Sequence, residues 1–278
     1  MEVRVAEKSG FCFGVERAID LAEEALRHGG TICCLGEIIH NPQVVERLAG
    51  RGLKVIQGVA QAQGPVLIRS HGEPPQVFEQ LAARGVEVID ATCRLVKRAQ
   101  RIVEQLAGEG YHVVIVGQET HPEVRAVCGY APDVVCVDRP EDLDRLPASG
   151  RLGVICQTTH SPEHFGRMVG LIVQRGYGEV KVVNTLCQEV RRRQDAAVEL
   201  ARQVDVMFVL GGRHSANTCE LHRLCAAEGV PTRHLESWAD FRPEMAAGCR
   251  VAGVTAGAST PRWVVEEFVA RLRELDVP

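Results

Sequence analysis

The sequence predicts an α/β protein built from three similar lobes, each with a mainly parallel sheet, arranged around a pseudo-threefold axis. One unit, made of a cysteine, an amphipathic helix, a glycine, a β-branched strand and a polar loop, occurs three times along the chain. The strands VVIV and VMFVL are continuous apolar runs, as expected when helices cover both faces of a parallel sheet. The separation between the cysteine and a polar residue after the strand is 28 residues in every unit: Cys12 to His40, Cys93 to His121, and Cys187 to Ser215.

The helices of the repeat are predicted from the spacing of their apolar residues. In the second unit, Val96, Ala99, Val103 and Leu106 share one helical face. Each unit continues with a further helix and a second strand that also ends in polar residues. We therefore expect three lobes that together form one functional unit: 13–93, 94–187, and 188–278 with 1–12.

Composition narrows the class of protein. With 278 residues, of which 45% are hydrophobic, the chain can bury a sizeable core. Its net charge of −4 provides no global positive field for a nucleic-acid backbone, and aromatic residues, at 4%, are few for base stacking. The sequence shows neither a charged-then-apolar leader nor an apolar run long enough to span a bilayer. These features predict a cytoplasmic protein with no nucleic-acid or membrane partner.

Polar residues follow the strands of all three units. The polar residues after the second strand of each unit are His71 in the first, Thr158 and Thr159 in the second, and Ser259 in the third. Because ligands bind beyond the carboxyl ends of strands in open α/β sheets, we expect six strand ends to converge on one polar site. The loops GGRHSANT, with Ser215 and Asn217, and TAGASTP each lead into a predicted helix start, where unpaired N–H groups bind phosphate. Ordinary helix capping is the alternative for these residues.

Three of the eleven cysteines differ from the rest in their surroundings. The others are expected to behave as small buried hydrophobic residues. Cys12, Cys93 and Cys187 instead lie among glycines and turn residues at equivalent points of the repeat. Three such thiolates are compatible with structural zinc, an iron–sulfur site, or coincidence. Zinc normally takes four ligands, often paired as C-x-x-C, and no such pair occurs, whereas a [4Fe–4S] cluster could leave one iron not bound by cysteine.

Histidines and one glutamate complete the set of candidates. His40, His71 and His121 lie at equivalent strand ends, which favours anion binding over the alternative of satisfied turn histidines. Glu123 is a candidate proton donor, because a carboxylic acid near anionic thiolates has a raised pKa; the alternative is a surface carboxylate after a proline. Two other histidines fall outside this register. His160 lies near a strand end, and His164 is expected at an ordinary position.

Short motifs in a fixed order resemble the 4-hydroxy-3-methylbut-2-enyl diphosphate reductase family, also called the IspH or LytB family. The resemblance covers nearly the whole chain and rests on these segments: GFCFGV, IIHNPQVV, RSHG, DATC, HPEV, QTT, NTLC with RRRQ, GGRHSAN and GVTAGASTP. It implies a three-lobed α/β fold around a central [4Fe–4S] cluster held by Cys12, Cys93 and Cys187, with one iron not bound by cysteine.

The resemblance also implies an activity. The family converts its allylic diphosphate to isopentenyl and dimethylallyl diphosphate by reductive dehydroxylation, the last step of the non-mevalonate isoprenoid pathway, with electrons from a ferredoxin or flavodoxin. Glu123 matches the residue associated with proton delivery. The residues that match the family's substrate-binding positions are His40, His71, His121, Thr158, Ser215, Asn217 and Ser259.

Four residues depart from the family pattern. Val190 and Ala216 stand where hydroxyl residues are usual, Arg94 where proline is usual, and Arg262 where aspartate is usual. Loss of the two hydroxyls is expected to weaken substrate binding by about 1 kcal/mol each, and Arg262 would compensate if it points at the diphosphate.

Other functions stay open at this point. One is a divergent paralogue that acts on another small hydroxylated anionic substrate. Another is an iron–sulfur hydro-lyase, which would need no external reductant for turnover. A third is a non-catalytic metal or redox-sensing protein, in which replacing Glu123 would change nothing.

Overall fold

The computed structural model describes residues 1–27, 30–39 and 41–275, and this part of the chain contains three four-stranded sheets. All neighbouring strands in the three sheets run parallel. The predicted α/β class with three similar parallel sheets is therefore confirmed. Among the described residues, no helix is both long enough and apolar enough to cross a membrane.

The elements follow the predicted alternation of helix and strand. The chain opens with strand β1 (Glu2–Val5), which joins the third sheet. The elements of the first sheet region are α1 (Phe13–Leu26), β2 (Ile32–Leu35), α2 (Pro42–Ala49), β3 (Leu53–Ile56), β4 (Val66–Ile68), α3 (Pro75–Ala83) and β5 (Val88–Asp90). Those of the second are α4 (Arg94–Gly108), β6 (His112–Val116), α5 (Pro122–Cys128), β7 (Val135–Val137), β8 (Arg151–Cys156), α6 (Pro162–Gln174) and β9 (Glu179–Val182). Those of the third are α7 (Gln188–Ala201), β10 (Val206–Leu210), α8 (Ala216–Ala227), β11 (Thr232–Leu235), β12 (Val251–Ala256) and α9 (Arg262–Glu274).

The three sheets share one strand order. From edge to edge they run β3-β2-β4-β5, β7-β6-β8-β9 and β11-β10-β12-β1. The amino-terminal strand β1 thus takes the place in the third sheet that β5 and β9 take in the other two. In this order the topological switch point lies between the two central strands, and ligands bind in the crevice beyond their carboxyl ends. Each sheet therefore offers one such crevice.

The chain divides into two compact units. The terminal unit, which contains the third sheet, comprises Met1–Glu16, Ile39–Arg47 and Gln188–Pro278. The central unit, which contains the first two sheets, comprises Arg17–Ile38 and Leu48–Cys187. Each unit has its own apolar core made mainly of aliphatic side chains, and one core of the terminal unit also contains the rings of Phe208, Phe241 and Phe268.

The apolar stripe predicted for the second repeat is buried as expected. Val96, Ala99, Val103 and Leu106 of α4 belong to one core cluster with residues of β6 and β8. Burial of such side chains is the main favourable contribution to folding, and it holds the helix against the sheet. Because α4 follows β5 directly in the chain, its first residue lies beyond the carboxyl end of that strand. The packing of the helix thus positions the residue that precedes it, which is a predicted ligand.

Most of the remaining cysteines behave as predicted. Five of them are buried: Cys33, Cys34, Cys136, Cys156 and Cys225. Cys219 contradicts the expectation, because it lies on the solvent side of α8 and is exposed. Its thiol contacts the carbonyl of Arg213 at 3.1 Å.

Candidate active site

Each of the three predicted cluster ligands lies immediately before a helix. Helices α1, α4 and α7 begin at the residue after Cys12, Cys93 and Cys187, respectively, and all three cysteines are partly exposed. Partial exposure leaves each thiol accessible, so each position suits a metal ligand. The cysteine N–H groups donate to equivalent carbonyls beyond a central strand: Cys12 to Ala258 (3.2 Å), Cys93 to Ser70 (3.0 Å) and Cys187 to Thr158 (2.9 Å).

The equal spacing of 28 residues between cysteine and polar residue in each unit has a structural cause. A glycine follows the first central strand of each sheet and donates its N–H to the last residue of the adjacent edge strand: Gly36 to Ile56, Gly117 to Val137, and Gly211 to Leu235. His121 and Ser215 lie four residues beyond their glycines, at the start of the next helix. The predicted site residue His40 lies outside the described residues. Helix, turn and strand therefore have the same combined length in each repeat.

Thr158 does not occupy the position in its loop that His71 and Ser259 occupy in theirs. Its carbonyl accepts a cysteine N–H, as do the carbonyls of the residues immediately before His71 and Ser259. Thr159 is therefore the residue that matches His71 and Ser259. The sequence offered both Thr158 and Thr159 at this strand end, and the hydrogen bonds of the cysteine N–H groups identify Thr159 as the match.

Glu123 is a buried carboxyl group at the start of α5, and Thr158 binds both of its oxygens. The Thr158 N–H donates to Oε1 at 2.7 Å, and the Thr158 hydroxyl donates to Oε2 at 2.7 Å. Burial raises the pKa of Glu123, an effect that the two hydrogen bonds from Thr158 and the nearby His160 oppose. A buried carboxyl group with a raised pKa keeps its proton to higher pH than an exposed one, as a general acid requires.

Replacement of Thr158 by valine is expected to release the Glu123 carboxyl group from its fixed orientation. Loss of the hydroxyl bond should lower stability by about 1 kcal/mol. Misplacement of the carboxyl group should lower kcat by about 10- to 100-fold. Turnover and thermal unfolding of Thr158→Val would be compared with those of Thr120→Val, a change of the same kind at an exposed position of the same unit. An unchanged kcat in Thr158→Val would exclude this positioning role.

Two histidines from different sheets come together within the central unit. His121 caps α5, since its Nδ1 accepts the N–H of Glu123 at 3.2 Å. An accepting Nδ1 leaves the proton of the neutral ring on Nε2, which is then a donor. The His71 and His121 ring centroids lie 5.6 Å apart at an interplanar angle of 77°. Because His71 follows β4 and His121 follows β6, strand ends of the first and second sheets meet here.

The terminal unit holds a second group of predicted residues. Ser215 caps α8 by accepting the N–H of Thr218 at 3.4 Å. Asn217 is 5% exposed, and neither of its amide atoms has a hydrogen-bond partner among the described residues. Ser259, after β12, is also buried. A buried amide without a partner, in the first turn of a helix, indicates a place for a polar ligand.

Backbone conformation allows the loop after β10 to lie close to this helix. Gly211 has a φ of +142°, and a Cβ there would come within 2.6 Å of the Thr260 hydroxyl and 2.8 Å of the Thr218 hydroxyl. Only glycine fits both the conformation and the space. The close approach of the two loops places Ser215 and Ser259 on neighbouring segments.

The four departures from the family pattern occupy different surroundings. Val190 is buried in α7, Ala216 is the partly exposed first residue of α8, and Arg94 is the exposed first residue of α4. The Arg262 side chain is 89% exposed and pairs with Glu266 at 2.7 Å. Arg262 is thus engaged on the helix surface, which argues against the compensation expected from sequence.

Gln157 is a site residue to which sequence reasoning assigned no role. It is 3% exposed; its Oε1 accepts the N–H of Gln118 at 3.1 Å, and its Nε2 donates to the Thr159 hydroxyl at 2.8 Å. It therefore ties the loop after β6 to the loop after β8, the two loops that carry His121 and Thr158. Its position as the first residue of the QTT motif was the available signal.

Polar loops at the switch points of parallel sheets, three cysteines before helices and a buried carboxyl group with a raised pKa define an α/β protein with the parts of a metal-dependent enzyme. The family model described as LytB protein matches residues 3–273, and the chain belongs to this family.

Individual relatives agree with this assignment. The 4-hydroxy-3-methylbut-2-enyl diphosphate reductase of Geobacter metallireducens is 42% identical over 278 residues, which cover 99% of this chain and 98% of the relative. A solved (E)-4-hydroxy-3-methyl-but-2-enyl diphosphate reductase, the terminal enzyme of the non-mevalonate pathway, is 40% identical, with a TM-score of 0.75 and coverage of 99% and 100%. The corresponding Plasmodium falciparum reductase is 26% identical, with a TM-score of 0.94 and coverage of 99% and 89%. The family resemblance predicted from the motifs is confirmed.

Proposed function

We propose that this chain catalyses the two-electron reductive dehydroxylation of 4-hydroxy-3-methylbut-2-enyl diphosphate in the cytoplasm, with a ferredoxin or flavodoxin as electron donor. The observation that carries the proposal is the near-full-length similarity to reductases named for this substrate, at 42% identity. The allylic C–O bond breaks, the hydroxyl leaves as water, and two electrons and two protons are consumed. Addition of hydrogen at either end of the allyl system gives isopentenyl or dimethylallyl diphosphate.

The chain's thiols fit an iron–sulfur cluster. Cys12, Cys93 and Cys187 are partly exposed and precede helices at equivalent positions, which supports a role as thiolate ligands. Three ligands leave one iron of a [4Fe–4S] cluster not bound by cysteine, and such a cluster supplies electrons and a Lewis-acidic site. We infer that the ranges 13–93, 94–187, and 188–278 with 1–12 form one catalytic unit around it.

Protein groups supply the proton and bind the anion. The Glu123 carboxyl group is buried and its two oxygens are fixed by Thr158. Burial raises its pKa, which favours the protonated form, so it can deliver a proton from a defined position. The Nε2–H of His121 and the unpartnered amide of Asn217 are donors for diphosphate oxygens. The proposed substrate-binding set is His40, His71, His121, Thr158, Ser215, Asn217 and Ser259.

Reductant-dependent turnover tests the proposal. The protein would be purified without oxygen, its iron and sulfide measured, and the diphosphate substrate supplied with and without an artificial reductant. Formation of both C5 diphosphates only with reductant would support the reductase and exclude a hydro-lyase. A protein that contains the cluster but does not turn over this substrate would overturn the substrate assignment and favour another hydroxylated anion.

Restoration of a hydroxyl at residue 216 is expected to improve substrate binding. Ala216 lies between Ser215 and Asn217 at the start of α8, and Ala216→Ser would offer one more donor to the anion. One added hydrogen bond is worth about 1 kcal/mol, so KM should fall by up to about fivefold with kcat unchanged. Ala227→Ser at the other end of α8 is the matched control and should leave KM unaltered. A KM equal to that of the wild type in Ala216→Ser would remove Ala216 as the cause of weaker binding.

A further inference from the structure

Three side chains of the central unit form a cluster that the proposed reaction does not use. Asp138 follows β7, His160 lies in the loop after β8, and His164 lies in the first turn of α6. The Nε2 atoms of His160 and His164 lie 3.1 Å and 3.2 Å from the same carboxylate oxygen, Oδ1 of Asp138. The two imidazole rings are stacked, with centroids 4.8 Å apart and planes inclined by 28°.

The spacing of these atoms matches the ligands of one metal ion. Zinc binds histidine nitrogen and carboxylate oxygen at about 2.0–2.2 Å, so two ligands of a tetrahedral ion lie about 3.4 Å apart. The two measured nitrogen–oxygen separations, 3.1 Å and 3.2 Å, are close to this value. All three ligand atoms lie within 4.8 Å of one another. An ion could therefore contact all three after small side-chain adjustments.

In the part of the chain that the structure describes, the three atoms contact one another and no other polar group. Asp138 Oδ1, His160 Nε2 and His164 Nε2 are shielded from solvent, and the contacts of 3.1 Å and 3.2 Å pair both histidines with the same oxygen. Among the described residues, no other group forms a hydrogen bond with any of the three. Buried polar atoms whose hydrogen-bonding capacity is not filled often mark a site for a water or an ion. The side chains themselves are 27%, 17% and 26% exposed, respectively, so an ion can enter from solvent.

The backbone holds each of the three residues in place. The Asp142 carboxylate accepts the N–H groups of Asp138 and Arg139, both at 2.9 Å. The His160 N–H donates to the carbonyl of Gln157 at 3.2 Å. The Ser161 hydroxyl accepts the N–H of His164 at 3.2 Å. Such support keeps the ligand positions fixed before the ion arrives, which favours binding.

We propose that Asp138, His160 and His164 form a binding site for a divalent transition-metal ion of the zinc type, separate from the three cysteines. Two imidazoles and one carboxylate suit Zn²⁺ or a similar first-row ion and disfavour Mg²⁺, which prefers oxygen ligands. Three protein ligands leave at least one position for water. The bound ion would link the end of β7, the start of α6 and the loop that also carries Thr158.

Zinc binding to single-residue variants tests this site. Protein purified without oxygen would be titrated with Zn²⁺ against a fluorescent zinc indicator. In His164→Gln and Asp138→Asn, the affinity for one equivalent of Zn²⁺ should fall by at least about 10-fold. Loss of a residue that only supports a metal ligand already lowers metal affinity by this amount. His112→Gln, at an exposed histidine of the same unit, should bind as the wild type does. Excess Mg²⁺ should not displace the zinc.

Direct location of the ion makes the test independent of variant folding. Anomalous diffraction at the zinc edge, from crystals of the wild-type protein grown with one equivalent of Zn²⁺, should place a peak about 2.0–2.2 Å from all three ligand atoms. Equal zinc affinity in wild type, His164→Gln and Asp138→Asn would overturn the proposal. A zinc peak only at the cysteines, with none at the histidines, would also overturn it.

Discussion

Replacement of Cys93 by serine is expected to abolish turnover and to lower the iron content of the purified protein. A serine hydroxyl is a harder and much less acidic ligand than a thiol, and iron–sulfur clusters are held by thiolates. Cys93 immediately precedes α4, and its N–H donates to the carbonyl of Ser70. Serine can keep that backbone bond, so the fold should persist while the cluster is lost. Iron, sulfide and reductant-dependent turnover would be measured on the same sample.

Cys249→Ser is the matched control for this experiment. Cys249 is partly exposed like Cys93, but it precedes β12 and therefore lies at the amino end of that strand. Because ligands of parallel sheets bind at the carboxyl ends, the control should retain both iron and turnover. Full iron content and wild-type activity in Cys93→Ser would show that the ligand assignment is wrong.

Replacement of Glu123 by glutamine is expected to lower kcat by about 100- to 10,000-fold, the usual contribution of a general acid. Glutamine keeps the size of the side chain, and its oxygen can still accept the N–H of Thr158. It has no acidic proton to deliver, so substrate binding should change little while turnover falls. Glu119→Gln, at a carboxylate that is 65% exposed and paired with Arg145, is the control and should retain the wild-type kcat. A Glu123→Gln variant with normal kcat would remove Glu123 from proton delivery.

The thermal stability of the wild type and of Glu123→Gln, measured as a function of pH, tests the raised pKa of Glu123. Burial raises the pKa of this group in the folded chain above its value of 4.5 in an unfolded chain. The folded state then binds the proton more tightly, so this contribution to stability is present at low pH and is lost as pH rises through the folded pKa. Relative to Glu123→Gln, the wild type should therefore lose thermal stability as pH rises above 4.5, the usual value of the group. A constant difference in Tm above this pH would contradict a raised pKa.

Local patterns in the sequence determined the elements and their repetition. The apolar spacing from Val96 to Leu106 predicted α4, and the apolar runs VVIV and VMFVL predicted buried parallel strands. The equal cysteine spacing also predicted that one unit is repeated three times, and the three sheets indeed share one strand order. These features depend on residues close together in the chain, where periodicity reports directly which face is buried.

Tertiary structure alone decided which distant side chains meet. The contacts between Thr158 and Glu123, between His71 and His121, and among Asp138, His160 and His164 join residues on different strands and loops. No periodicity encodes such pairs, because they depend on strand order, register and the exact ends of the strands. The sequence by itself therefore determined the family, the repeat and the candidate residues, whereas folding decided that Thr158 holds the Glu123 carboxyl group and that two histidines of no assigned role share one aspartate.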